Sequence, residues 1–152
     1  MSDTRITYKN NKGFWINESF MQLGLYYILR EVEKPQYHIN NKVALLELMS
    51  YSINGYVSPS LGWVGHLTNE TEEQTMIQVL QNVKTTLQNK GVFISVEEQN
   101  TITTEDNTFS YILGVKPFPT VELIRVIDAL IQMLQGTWES TNYDMDLNWR
   151  GM

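Results

Sequence analysis

The sequence predicts a mainly α fold with α+β character at its margins: one compact helical domain over residues 1–152, with a few short strands near the termini. Three observations carry this. In residues 120–135, TVELIRVIDALIQMLQ, wound at about 100° per residue, Glu122, Arg125, Asp128, Gln132 and Gln135 fall in one stripe. Val121, Leu123, Ile124, Ile127, Leu130, Ile131 and Leu134 cover most of the remaining surface, so this helix is buried on several sides. In residues 69–90, Met76, Val79, Leu80, Val83 and Leu87 follow the helical period against Gln78, Asn82, Thr85 and Asn89. In YDMDLNW near the C-terminus, Tyr143, Met145, Leu147 and Trp149 alternate with Asp144, Asp146 and Asn148, the period of a half-buried strand.

The elements follow in order. Ile6 and Tyr8 lie in a short alternating piece that reads as an edge strand. The run NESFMQLGLYYILREVEK forms a helix capped by Asn17 and stopped by Pro35. Phe20, Leu23, Tyr27 and Ile28 make its inner face, Gln22, Tyr26, Arg30 and Glu33 its outer one, and Gly24 is a packing notch. A polar connector over residues 35–41 leads to NKVALLELMSYSING, a helix ended by Asn54 and Gly55. YVSPSLGWVGHL, with Pro59, Gly62 and Gly65, reads as a loop presenting exposed aromatics. The helix of residues 69–90 starts from Thr71 with Gln74 as a capping box, or from Asn69 with Glu72, and Gly91 closes it. Ser95 and Glu98 repeat the capping-box spacing ahead of the polar NTITTEDNT. FSYILGVKPFP reads as a strand or extended connector, because it is short and Pro-rich. Pro119 and Thr120 start the last helix and Gly136 stops it.

Composition narrows the function classes. With no cysteine, disulfides, thiolate nucleophiles and Cys-based zinc sites are excluded together. The polar N-terminus and the lack of a long apolar run point away from secretion and membrane spans and toward a cytoplasmic location. The net charge of −6 is uneven: residues 1–66 carry six Lys/Arg against five Asp/Glu, and residues 67–152 carry five against twelve. Such an acidic half repels phosphate backbones, so direct nucleic-acid binding is not expected and a basic protein partner is.

Chemistry leaves few marks. Only His38 and His66 are present, and no G-x-S-x-G turn offers a nucleophile to either. Glu72-Glu73, Glu97-Glu98 and Glu105-Asp106 are adjacent pairs, which on a helix diverge by about 100° instead of converging on one atom. Asp144-x-Asp146-x-Asn148 has the opening spacing of a calcium loop but Trp149 where that loop needs glycine, so no metal and no cofactor are expected. Gly62 and Gly65 lack the Lys-Ser/Thr of a phosphate-binding loop. The remaining signal is aromatic residues in loops and tail within an acidic background, a combination enriched where proteins bind proteins.

GWVGHLTNETEEQTMIQVLQNVKTTLQNKGVFISVEEQN, followed by LQGTWES, resembles small acidic bacterial proteins of polymorphic-toxin loci, including immunity proteins of contact-dependent inhibition systems. The resemblance spans residues 60–140 and rests on the order helix, SVEE, helix, GTW. It implies a cytoplasmic antitoxin that binds and blocks a cognate toxin without catalysis. The acidic half then forms the contact surface, with Glu97, Glu98, Glu105, Asp106, Trp138, Asp144, Asp146 and Trp149 as the expected contact residues. Two alternatives are a small-ligand binder or enzyme with a pocket between the first and last helices, and a structural homodimer in place of a monomer. A steric blocker needs no proton shuttle. Replacing His38 and His66 together by Gln is therefore expected to leave toxin protection intact, and loss of protection in a folded double variant would point to catalysis.

Overall fold

The computed structural model describes residues 2–149. The chain opens with a hairpin of which the sequence pattern discloses half. Strand β1 (Asp3–Tyr8) is the expected one; β2 (Lys12–Asn17) is an addition, pairing antiparallel with it so that Asp3 faces Asn17 and Tyr8 faces Lys12. Asn10 and Asn11 make the turn at φ of 58° and 61°, left-handed values that asparagine tolerates better than other side-chain-bearing residues. Gly13 is obligatory, since a Cβ there would lie 1.8 Å from the Ile6 carbonyl oxygen. Phe14 and Ile16 point into the core while Trp15 between them points out.

Helix α1 (Glu18–Val32) follows directly, and the Asn17 side chain accepts from the Ser19 and Phe20 amides at 2.9 and 3.3 Å. Its inner face is buried as expected, but Gln22 is buried too and is not on an outer face. Its amide donates to the Ser52 carbonyl at 2.9 Å and to Asp106 at 2.8 Å, so burial leaves it satisfied. At Gly24 an added Cβ would meet only Leu123, at 3.7 Å, an ordinary contact; α1 and α7 pack there without needing a glycine. Helix α2 (Lys42–Ile53) lies against α1. The loop after it holds the single turn α3 (Trp63–His66), and its tryptophan is a correction: Trp63 is buried, edge-on to Tyr8 at 5.3 Å, and not an exposed aromatic.

Helix α4 (Glu70–Asn89) starts from Asn69, whose side chain accepts from the Glu72 amide at 2.9 Å. Glu72 turns back to accept from the Thr68 amide and hydroxyl and from the Asn40 amide, which fixes the connector against the helix start. Strand β3 (Phe93–Ile94) then pairs antiparallel with β4 (Phe118–Pro119). Between them lie α5 (Val96–Asn100), capped by Ser95 as the spacing indicated, and α6 (Asn107–Ile112). The first half of FSYILGVKPFP is therefore helical. Asp106 supplies the cap that makes so short a helix possible, accepting from the Thr108 and Phe109 amides.

Helix α7 (Thr120–Gln135) crosses α4 and touches α1. Its solvent stripe is rotated relative to expectation: Glu122 is buried, and Val121, 63 % exposed, takes its place. Beyond Gly136 the tail reaches β5 (Tyr143–Asp144), which runs parallel to β2 and completes a sheet of order β1-β2-β5. The alternation holds beyond that short strand, with Met145, Leu147 and Trp149 buried. The protein is mainly α with short strands, as the sequence indicated. Among the described residues no helix is long and apolar enough to cross a membrane.

Ile127 is fully enclosed in this core. Ile127→Asp places an unpaired carboxylate there at a cost of several kcal/mol, comparable with a typical total stability of about 5 to 15 kcal/mol. The variant is expected to be unfolded by circular dichroism at room temperature; a thermal midpoint matching the parent would overturn the assignment.

Candidate interaction surface

The eight expected contact residues do not form one patch. Glu98 is occupied within the fold: the Tyr27 hydroxyl donates to it, Lys90 pairs with it at 2.7 Å, and the same lysine stands 5.3 Å over the Tyr27 ring. Asp106 caps α6 and accepts from buried Gln22. Trp149 belongs to the core and not to a surface, because alternation carries it inward, against Phe118 and Phe20, with its indole N–H donating to the Pro117 carbonyl at 3.0 Å. Glu97 and Glu105 are exposed on α5 and on the connector after it, and the Glu105 amide donates to Asn54 at the end of α2.

Trp138, Asp144 and Asp146 come together in the tail. Trp138 is half-buried, donates its indole N–H to the Gly13 carbonyl at 2.9 Å, and stands edge-on to Phe14 and to Tyr143. The Gly13 amide donates to the Ser140 carbonyl at 2.9 Å, and the Met145 amide to the Trp15 carbonyl at 2.8 Å, so the tail is latched along β2. That latch sets Asp144 in register with Trp15. Trp15, 42 % exposed, therefore lies on the outer face of the sheet with the Asp144 carboxylate beside it, whereas Tyr143, 41 % exposed, pairs with inward-facing Phe14 and sits at the rim of the core beside Trp138. The exposure of Trp15 was not among the sequence expectations. The signal was the triplet Phe14-Trp15-Ile16, in which one member must face away from the other two.

Charge around the tail is only partly neutralised. Lys12 pairs with Glu139 at 3.1 Å, and Arg125 pairs with buried Glu122 at 3.1 Å while reaching the Asp146 carbonyl and the Tyr143 hydroxyl. Burial works against the Arg125 charge, but the Tyr143 hydroxyl and the Glu122 carboxylate outweigh it and hold the guanidinium protonated. Asp144 has no ion-pair partner among the described residues.

Neither histidine is built into a catalytic arrangement: His38 is exposed, and His66 approaches only the Asn40 carbonyl, at 3.4 Å. Among the described residues no three His, Cys, Asp or Glu side chains gather as a metal site. A surface depression of about 420 Å³ lies between α1 and α2, bordered by Tyr26, Arg30, Glu33 and Thr101. No protein-family model matches the chain, and neither a curated protein nor a solved structure is found to be similar to it.

The Tyr27–Glu98–Lys90 group gives a pH signature. Burial pushes the Glu98 carboxyl up, but Lys90 and the Tyr27 hydroxyl outweigh it and hold its pKa below the usual carboxylate value. A carboxyl lowered in the folded state contributes stability above its unfolded pKa of about 4.3, and that contribution disappears as pH falls through the folded value. Glu98→Gln is therefore expected to lower the thermal midpoint at pH 7, with the gap to the parent closing below about pH 4. An equal gap at both ends of the titration would exclude this linkage.

Proposed function

We propose that this protein is a non-enzymatic binding protein, an immunity protein that neutralises a cognate toxin by occlusion in the cytoplasm, and that its contact surface includes the outer face of the β1-β2-β5 sheet. The observation that supports this most directly is the register of Asp144 beside exposed Trp15 on that face. A large rigid aromatic gives contact area at low entropic cost, and a carboxylate beside it favours a basic partner through steering and through pairing in the desolvated contact. A toxin with a basic groove, such as a nuclease, has the complementary charge. The resemblance of residues 60–140 to immunity proteins points the same way and rests on sequence pattern alone.

A second reading, small-ligand binding, is favoured by the depression between α1 and α2, where Arg30 and Glu33 offer charges of both signs. The two readings differ in where substitutions act.

Reversing Asp144 and Asp146 to Lys is expected to slow association with a cognate toxin domain by about tenfold, the lower end of what such fields produce. The parent rate is expected to fall as salt rises and the variant's to change less. Stopped-flow rates and salt slopes that coincide for the two proteins would remove this face as the partner surface.

A further inference from the structure

Between the start of α1 and the start of α6 lies a cavity of about 170 Å³ with wholly polar walls: Ser2, Glu18, Ser19, Gln22, Asp106 and Thr108. It is more enclosed than the depression between α1 and α2. Two of its wall residues, Ser19 and Gln22, are each only 2 % exposed. The Gln22 Nε2 donates to the Ser52 carbonyl and to Asp106, which fixes the orientation of the amide and leaves Oε1 as its free end. Oε1 accepts from no group among the described residues, and the Ser19 hydroxyl likewise has no partner there, since only the Ser19 amide is bonded, to Asn17. Neither oxygen is sealed in the interior: among the described residues the Ser52 hydroxyl is the one side-chain polar atom both sealed and unpartnered. Two almost fully buried residues therefore turn an unpartnered oxygen to the cavity.

The charge around these oxygens is not balanced. Glu18 is partly buried in the same wall and forms no ion pair among the described residues. Asp106 is committed within the fold, one oxygen to the Thr108 and Phe109 amides and the other to Gln22. The amides that give a helix start its affinity for anions are taken as well, that of Glu18 by the Ser2 carbonyl and those of Ser19 and Phe20 by Asn17. What remains is a set of oxygen acceptors with one uncompensated carboxylate. A bare divalent cation matches it poorly, because a single free carboxylate leaves such an ion half neutralised, and the space is many times the about 10 to 15 Å³ that admits one water. A guanidinium or primary ammonium group brings one positive charge and several N–H donors.

We infer that the cavity between the starts of α1 and α6 binds a guanidinium or primary ammonium group, with Glu18 as its counter-ion and the Gln22 Oε1 and Ser19 hydroxyl oxygens as its acceptors. The group arrives on a small molecule or on an arginine or lysine side chain of a polypeptide. This inference stands on the cavity and depends neither on the toxin reading nor on the tail surface.

The test is titration of the isotope-labelled full chain with methylguanidinium and methylammonium, followed by NMR at the Glu18 and Ser19 backbone amides and the Gln22 side-chain amide. Expected are shifts that saturate in the millimolar range, and none with tetramethylammonium, which carries the charge without N–H donors. Glu18→Gln is expected to weaken binding about tenfold, the loss of one charge-assisted hydrogen bond. Ser19→Ala removes a hydroxyl the fold does not use and is expected to weaken binding about threefold, so it decides should Glu18→Gln fail to fold. The peptide acetyl-Gly-Arg-Gly-amide separates the two sources: binding well above that of methylguanidinium assigns the group to a polypeptide, and equal or weaker binding assigns it to a small molecule. Shifts that do not saturate, that tetramethylammonium reproduces, or that are unchanged in the folded variants overturn the inference. So does calcium chloride saturating the same signals at lower concentration than methylguanidinium, which would make the cavity a metal site.

Discussion

Helix α7 is buried on several sides although its first turn carries polar groups, and that is possible only because chain from elsewhere satisfies them. The Thr120 hydroxyl donates to the Gly91 carbonyl at 2.6 Å, and the Thr120 amide donates to the Val92 carbonyl at 3.0 Å. Glu122 accepts from Arg125 and from the Asn148 amide. A buried carboxylate without such partners would cost several kcal/mol. The β3–β4 ribbon and the C-terminal tail are therefore conditions for burying α7, and the tail in turn sets the register of β5 against β2. The placement of Asp144 beside Trp15 rests on that chain of dependence.

Three tyrosine–glutamate–lysine groups tie distant segments to this core. Tyr8 donates to Glu73, which pairs with Lys9, joining the hairpin to α4; Tyr27, Glu98 and Lys90 join α1 to α5 and the end of α4. Tyr37 donates to Glu31, which pairs with Lys34, and accepts from Asn82, fixing the connector across α1 and α4. An exposed ion pair alone contributes at most about 1 kcal/mol. A hydroxyl donating to a partly buried carboxylate contributes more, about 1.5 to 3 kcal/mol. The tyrosine is the stronger half of each lock, and burial together with the neighbouring carboxylate raises the phenol pKa of all three tyrosines, keeping them protonated donors.

What the sequence disclosed was what is decided locally. Helix ends with their own caps, at Asn17, Asn69 and Ser95, and apolar faces of helical period needed no knowledge of the rest of the chain. Residues whose environment is supplied from far away were misplaced. Gln22 looked like a surface residue because its partners lie 30 and 84 positions on, and Glu122 because its partner Asn148 lies 26 positions on. Trp63 was assigned to an exposed loop because the ring it packs against, Tyr8, belongs to a hairpin half of which was unseen. Of the residues expected at a contact surface, the tail carboxylates Asp144 and Asp146 are exposed as charge and alternation indicated, whereas Glu98 and Asp106 carried the same signal for internal reasons.

The sheet has only three strands, so the treatment of its edges bears directly on how it meets other molecules. On one side of β2 the tail supplies a two-residue strand and two further backbone contacts, at Gly13 and Trp15, too irregular to template another strand. On the other side β1 keeps its outward groups, with Arg5 in the middle and the 59–65 loop standing across a narrow gap. The two sides therefore differ in kind: one is closed by the backbone and side chains of the tail, and the other leaves main-chain groups of β1 facing the 59–65 loop. Arg5 couples the two sides, because its guanidinium reaches from β1 across β2 to donate to the Thr141 carbonyl, so the hairpin and the tail are held as one unit and a change at either side is felt at the other.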